Sequence, residues 1–333
     1  MADEACSPML RGGYRTIFRD DLFENKVAIV TGGGTGIGKQ IARELLELQC
    51  TVIIASRRLE ILNAAAVEFR AQIPGAKVSC VQCDIKREDD IKRLVSGVVG
   101  SFKRIDFLVN NSGGQFPASA GRIKTKGWKS VVDLNLNGTF VCCREVFTQW
   151  MRNHGGSIVN IVADVWKGFP GMSHTGAARA AVINLTKSLS VEWAQNGVRV
   201  NAVAPGVIWS ATAGANYKSA SGGEILLSSQ WLRCPAKRIG TVEEVSAAVC
   251  FLLSPASAFT TGETIKVDGA SSLKNEMYIA DHNNLPAYGR IPPPKPQREE
   301  IVKAFRGVRE DAFWPGPASY NDTRRKSAAA SKL

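Results

Sequence analysis

Three observations predict an α/β chain. Seven short β-branched runs punctuate the sequence, longer segments of helical period lie between them, and a glycine-rich turn directly follows the first run. The expected architecture is one doubly wound domain with a parallel seven-stranded sheet and helices on both faces. Strands are expected at Val27 to Thr31, Thr51 to Ser56, Lys77 to Cys83, Phe107 to Asn110, Ser157 to Val162, Arg199 to Ala204 and Thr264 to Val267. Helical stretches include Gly36 to Leu48, Leu59 to Gln72, Glu88 to Phe102 and Gly176 to Gln195. The domain is expected over residues 26–272, after a polar, irregular N-terminal arm of residues 1–25. Residues 273–333 read as a proline-rich C-terminal tail. Seven of the 14 prolines fall between Pro286 and Pro317, which disfavours a packed helix or strand there.

Composition excludes several classes. With 333 residues, 44% hydrophobic and 22% charged, the chain can bury a large core, so disorder throughout is excluded. No apolar run approaches the roughly 18 to 20 residues of a membrane-spanning helix. The formal net charge of +12, of which +4 lies from Asp281 to Leu333, favours anionic partners. No aromatic-plus-basic module accompanies it, so nucleic acid is not an expected partner. Eight cysteines and an N-terminus without a basic and then apolar signal read as reduced thiols. Cys80-x-x-Cys83 lies in an apolar stretch and reads as a buried strand, and three histidines suggest no metal site.

The turn Thr31-Gly32-Gly33-Gly34-Thr35-Gly36-Ile37-Gly38 has the context of a phosphate cradle, being preceded by a strand and followed by a helix. Glycines there let the backbone approach a pyrophosphate, whose charge the helix N-terminal amides stabilise. The second strand ends Ser56-Arg57-Arg58, where an NAD site usually offers a carboxylate to the ribose 2′-hydroxyl. Arg57, with Arg58 or Lys39, would instead pair with a 2′-phosphate, so NADPH is the expected cofactor.

In Thr31-Gly32-x-x-x-Gly36-Ile37-Gly38, Cys83-Asp84-Ile85, Asn110-Asn111-Ser112-Gly113, Leu134-Asn135-Leu136 and Pro205-Gly206, the chain resembles the short-chain dehydrogenase/reductase family over about residues 26–270. The resemblance implies a Rossmann-type dinucleotide fold. It implies that Gly32, Gly36, Ile37, Gly38, Asp84 and Ile85 border the cofactor, with Asp84 at the adenine. Asn110 would support the ribose side, and Pro205, Gly206 and Ile208 would line the nicotinamide. The family's tyrosine, four residues before a lysine, is absent: Thr175 and Arg179 take those places, and i,i+4 spacing keeps both on one helix face.

That exchange points to chemistry other than alcohol formation. A threonine hydroxyl is a poor acid, yet it can donate a hydrogen bond to a thioester carbonyl as hydride reaches the β-carbon of an enoyl group. Proton delivery to the α-carbon would fall to water or to His174. Arg179 stays cationic and would hold the cofactor ribose and add positive potential. By the resemblance, Asn135 takes the place of an asparagine that distorts its helix and hydrates a proton path, or else is structural.

With Gly113-Gly114-Gln115-Phe116, Gly168-Phe169-Pro170 and Pro235-Ala236-Lys237-Arg238-Ile239-Gly240, the chain looks like the peroxisomal trans-2-enoyl-CoA reductases. The resemblance therefore implies an acyl-CoA substrate and a homotetramer. Gln115, in the loop after the fourth strand at the carboxyl end of the sheet, reads as a substrate or nicotinamide contact, and Tyr217, in the Gly- and Ser-rich segment Ala211 to Gly223, as a substrate contact. The related 2,4-dienoyl-CoA reductases retain the lysine that Arg179 replaces and form the alternative. A catalytically silent nucleotide-binding protein is a second one. Ser331-Lys332-Leu333 reads as an address for the peroxisomal import receptor, which would place the protein in the peroxisome matrix.

Overall fold

The structure, a computed structural model, describes residues 16–210, 234–236 and 238–273. Tyr217 and the C-terminal tail with Ser331-Lys332-Leu333 lie outside the described residues, as does most of the expected N-terminal arm.

Seven parallel strands form one sheet in the order β3-β2-β1-β4-β5-β6-β7. The strands are β1 (Val27–Thr31), β2 (Thr51–Ser56), β3 (Val78–Gln82), β4 (Phe107–Asn110), β5 (Gly156–Ile161), β6 (Val198–Pro205) and β7 (Thr264–Val267). They agree with the expected runs to within a residue at each end. The first helices are α1 (Gly36–Glu47), α2 (Leu59–Gln72) and α3 (Glu88–Phe102). Next comes a segment that the hydrophobic pattern did not single out: α4 (Thr125–Val132), α5 (Gly138–Val146) and α6 (Arg152–His154), joined by π-helical turns at Asp133–Asn137 and Phe147–Met151. Then follow α7 (Ser173–Trp193), which starts three residues before the expected Gly176, and α8 (Val242–Leu253).

Side chains alternate across the sheet as a strand period of two requires. Ala28, Val30, Val52 and Ile54 face one apolar layer with Leu45 of α1, Leu62 of α2 and Val249 of α8. Val27, Ile29, Ile53 and Ala55 face the other, with Leu94 of α3, Val146 of α5 and Leu189 of α7. Both faces of the central strands are buried, so these strands read as continuous apolar runs.

The packed unit begins earlier than the expected boundary at residue 26. Phe23 is 1% exposed, meets the Phe107 ring edge-on at 5.0 Å, and its amide donates to the Leu48 carbonyl at 3.0 Å. The signal was missed because a single aromatic among polar residues has no period. Nearby, the buried Glu44 carboxylate accepts hydrogen bonds from Thr16 and from Ser246, tying the entry segment and α8 to α1. Phe23→Ala is expected to cost about 3–5 kcal/mol in urea unfolding; a loss under about 1 kcal/mol would make the entry segment dispensable.

Candidate active site

Strand order reverses between β1 and β4, so the loops that follow these neighbours open a crevice at the carboxyl end of the sheet. On the β1 side the glycine turn leads into α1, whose N-cap, Thr35, makes no side-chain hydrogen bond. The first-turn amides are thereby left for an anionic ligand. Gly32 takes a positive φ of 69°, and a Cβ on Gly38 would stand 2.2 Å from Asn111 Nδ2 and 2.4 Å from the Gly32 carbonyl. The β1 and β4 loops are thus locked together at a position where only glycine fits.

Arg57 and Arg58 are exposed at the end of β2, and neither pairs with a carboxylate among the described residues. Lys39 departs from the expectation, because its ammonium pairs with Glu68 at 2.5 Å. Asp84 is half-buried and holds its own loop through Lys86 N, while Ile85 is buried with its carbonyl against Gly138. The exposed Arg57 and Arg58 and the uncapped α1 fit the anionic groups of a nicotinamide dinucleotide.

Asn110 is placed differently from a ribose contact. It is 3% exposed, and its amide points inward, donating to Asn160 Oδ1 at 2.9 Å and to Cys143 Sγ at 3.1 Å. Asn160 in turn donates to Thr186 Oγ1 at 3.0 Å, so this buried chain fastens α7 to β4 and β5. On the β6 side, Pro205 accepts from Asp164 N at 3.2 Å, Gly206 donates to Val267 at 2.9 Å, and Ile208 bridges to Gly240.

The centre of the crevice gathers Asn135, Thr175 and Arg179 from two helices. The π turn at Asp133–Asn137 swings Asn135 out of the regular helical ladder, and the Thr139 hydroxyl donates to its carbonyl at 3.1 Å. Its side chain is fixed in one sense. The Gly114 amide can only donate, so Oδ1 accepts it at 2.9 Å, and Nδ2 then donates to the Gly114 carbonyl at 3.0 Å and to Thr175 Oγ1 at 2.8 Å. Thr175 is fully buried and uses its oxygen as acceptor, so its proton is the group left to give.

Arg179 Nη1 donates to the Ile161 carbonyl at 2.6 Å. Its Nη2 fills the space over Gly113, where a Cβ would stand 2.0 Å from that nitrogen and 3.0 Å from Asn135 Oδ1. No carboxylate balances the guanidinium among the described residues, and burial lowers its pKa to about 10. A cation so placed is suited to a reaction in which negative charge develops beside it.

Two predicted residues stand apart from this trio. His174 is fully buried, with its ring against Phe116, and Gln115 is exposed in the β4 loop. Asp164 was not singled out by the sequence reading. It leaves the end of β5 half-buried, and its carboxyl is held above the usual range by burial first and by Asp268 second; the Trp166 amide, Lys266 and Lys167 act oppositely. Its place at the carboxyl end of a strand was the available signal.

A family model described as enoyl-(acyl carrier protein) reductase matches residues 32–271. The chain belongs to the short-chain dehydrogenase/reductase family. Similar members include a peroxisomal 2,4-dienoyl-CoA reductase [(3E)-enoyl-CoA-producing] of Danio rerio, 36% identical over 78% of this chain and 86% of that one. A probable 2,4-dienoyl-CoA reductase [(2E)-enoyl-CoA-producing] of Bacillus subtilis (strain 168) is 35% identical over 75% of this chain and 98% of its own. Among solved structures, the citronellol catabolism dehydrogenase of Pseudomonas aeruginosa PAO1 is 45% identical, covering 78% of this chain and 100% of that chain with a TM-score of 0.68. Thr175 and Arg179 stand where the family resemblance implies a tyrosine and a lysine.

The uncompensated guanidinium is a cost to the folded protein at every pH below about 10, relieved as the pH rises through that value. Arg179→Met is therefore expected to raise Tm by about 2–4 °C at pH 7 while removing activity, as read by calorimetry and a turnover assay. A lower Tm would show that the Ile161 contact outweighs the desolvation.

Proposed function

We propose that this chain is an NADPH-dependent reductase that converts trans-2-enoyl-CoA thioesters to saturated acyl-CoA in fatty acid metabolism. The carrying observation is the guanidinium of Arg179, held without a counter-charge among the described residues beside Asn135 and Thr175. Reduction of a conjugated thioester builds an enolate whose oxygen takes up negative charge, and a fixed cation lowers that barrier. The cofactor, when bound, supplies the hydride.

The chain's residues divide the remaining work. The α1 N-terminus and the cradle around Gly32, Gly36 and Gly38 hold the pyrophosphate, and Arg57 with Arg58 takes the 2′-phosphate. Asn135 donates into Thr175 Oγ1 and so turns the threonine proton toward the thioester oxygen, while Arg179 stabilises the enolate. The α-carbon then accepts a proton from water.

Reduction of a 2,4-dienoyl-CoA is the alternative, favoured by the names of the Danio rerio and Bacillus subtilis relatives. The same charge stabilisation serves a dienolate. Peroxisomal location rests on the C-terminal tripeptide and on the name of the zebrafish relative, against relatives from two bacteria.

NADPH oxidation is to be followed with trans-2-decenoyl-CoA and with a 2,4-decadienoyl-CoA, with mass analysis of the products. Formation of decanoyl-CoA is expected. Turnover of the dienoyl substrate alone would select the alternative, and cofactor binding without turnover of either would indicate a silent nucleotide-binding protein. Arg57→Asp is expected to raise the KM for NADPH at least about tenfold with little change for NADH, since a charge-assisted hydrogen bond contributes roughly that factor.

A further inference from the structure

His174 has no role in the arrangement described so far, and its surroundings are unusual. The residue is fully buried, and neither Nδ1 nor Nε2 has a hydrogen-bond partner among the described residues. Buried polar groups are nearly always satisfied, so an imidazole with two orphan nitrogens points to a partner that arrives later. It directly precedes Thr175, on the first turn of α7.

One of the side chains against it is aromatic. The Phe116 ring meets the imidazole edge-on, with centroids 4.4 Å apart and planes at 79°. Phe116 is itself 39% exposed, and its ring lies over Gly127 of α4, where a Cβ would stand 2.9 Å from Cζ. The backbone on either side of the phenylalanine is pinned. Gly114 is held in both directions by Asn135, and the Ala118 amide donates to the Gly171 carbonyl at 2.7 Å. The ring can therefore leave its apolar seat by side-chain rotation while the loop stays in place.

We propose that His174 is a substrate-binding residue kept under Phe116: an acyl thioester entering the crevice displaces the ring, and the uncovered imidazole donates a ring N–H hydrogen bond to the thioester carbonyl oxygen. This rests on the reading of the chain as an acyl-CoA reductase. The displaced phenyl ring then packs against the apolar chain of the substrate, exchanging one apolar contact for another. The donor gains its acceptor only when a thioester is in place, and the hydrogen bond strengthens as charge develops on that oxygen.

The test uses the full-length enzyme with NADP⁺ and decanoyl-CoA carrying a ¹³C-labelled thioester carbonyl, which binds but is not reduced. In the wild type the infrared carbonyl band is expected below its position in solution. His174→Leu should move it back toward the solution value and lower kcat for trans-2-decenoyl-CoA roughly 100-fold, without lowering Tm. His174→Gln, which retains an N–H, should recover at least about tenfold of that loss. Phe116→Ala should keep the shifted band and add one carbethoxylated histidine on treatment of the free enzyme with diethyl pyrocarbonate. An unmoved band in His174→Leu overturns the proposal, as does equal impairment of the Leu and Gln variants or an unreactive His174 in Phe116→Ala. A His174-dependent band without turnover of any enoyl-CoA would defeat the proposed function and leave this inference standing. Failure of the wild type to bind decanoyl-CoA would defeat both.

Discussion

The site depends on one topological constraint, the reversal of strand order between β1 and β4. The chain builds outward from β1 to β3, returns to lay β4 against the free edge of β1, and then builds the other way. Loops leaving two adjacent parallel strands in opposite directions cannot close over the sheet, so a crevice opens at their carboxyl ends. The glycine turn enters it from one side and the Asn111–Gly114 segment from the other. Their mutual lock, Asn111 against Gly38 and the Thr31 and Gly32 carbonyls, makes the crevice a rigid feature of the sheet.

On that frame Asn135, Thr175 and the start of α7 are positioned by buried polar bonds rather than by apolar packing alone. Asn110, Asn160 and Thr186 run as a hydrogen-bonded chain through the interior and fix α7 relative to β4 and β5. A second connection, Gly114 to Asn135 to Thr175, fixes the start of α7 relative to the β4 loop. Both restrain direction as well as distance, which is what orienting a hydroxyl proton requires. The same region holds two groups left unsatisfied among the described residues: the guanidinium of Arg179 without a counter-charge and the imidazole of His174 without a partner. Groups that the free protein leaves uncompensated are those a ligand can complete, and their cost is carried by the large apolar layers on the two faces of the sheet.

Much of this was legible in the sequence. The strands were readable because both faces of the central sheet are buried, which makes runs such as Val27 to Val30 and Val52 to Ala55 continuously apolar. The glycine turn was readable because close approach excludes every other residue type. Thr175 and Arg179 were readable as a pair because helical spacing alone places them on one face. Less visible was the segment from Thr125 to His154, where two π turns break the 3.6-residue period on which recognition of a helix relies. Phe23 was missed for the same kind of reason, being one buried side chain in a polar stretch.

The sequence by itself determined the class of fold, the glycine turn after the first strand, the family, and the presence of threonine and arginine where the family resemblance implies tyrosine and lysine. Each of these is written in local spacing or in the residue types that a backbone geometry tolerates. Only the tertiary structure decided that Asn110 faces inward, that Lys39 is engaged by Glu68, that Asn135 directs the threonine hydroxyl, and that His174 lies covered by Phe116. Those outcomes depend on which side chains meet across elements up to 58 residues apart in the chain, as Phe116 and His174 are. Burial and hydrogen-bond partners are properties of the packed whole, and no local pattern carries them.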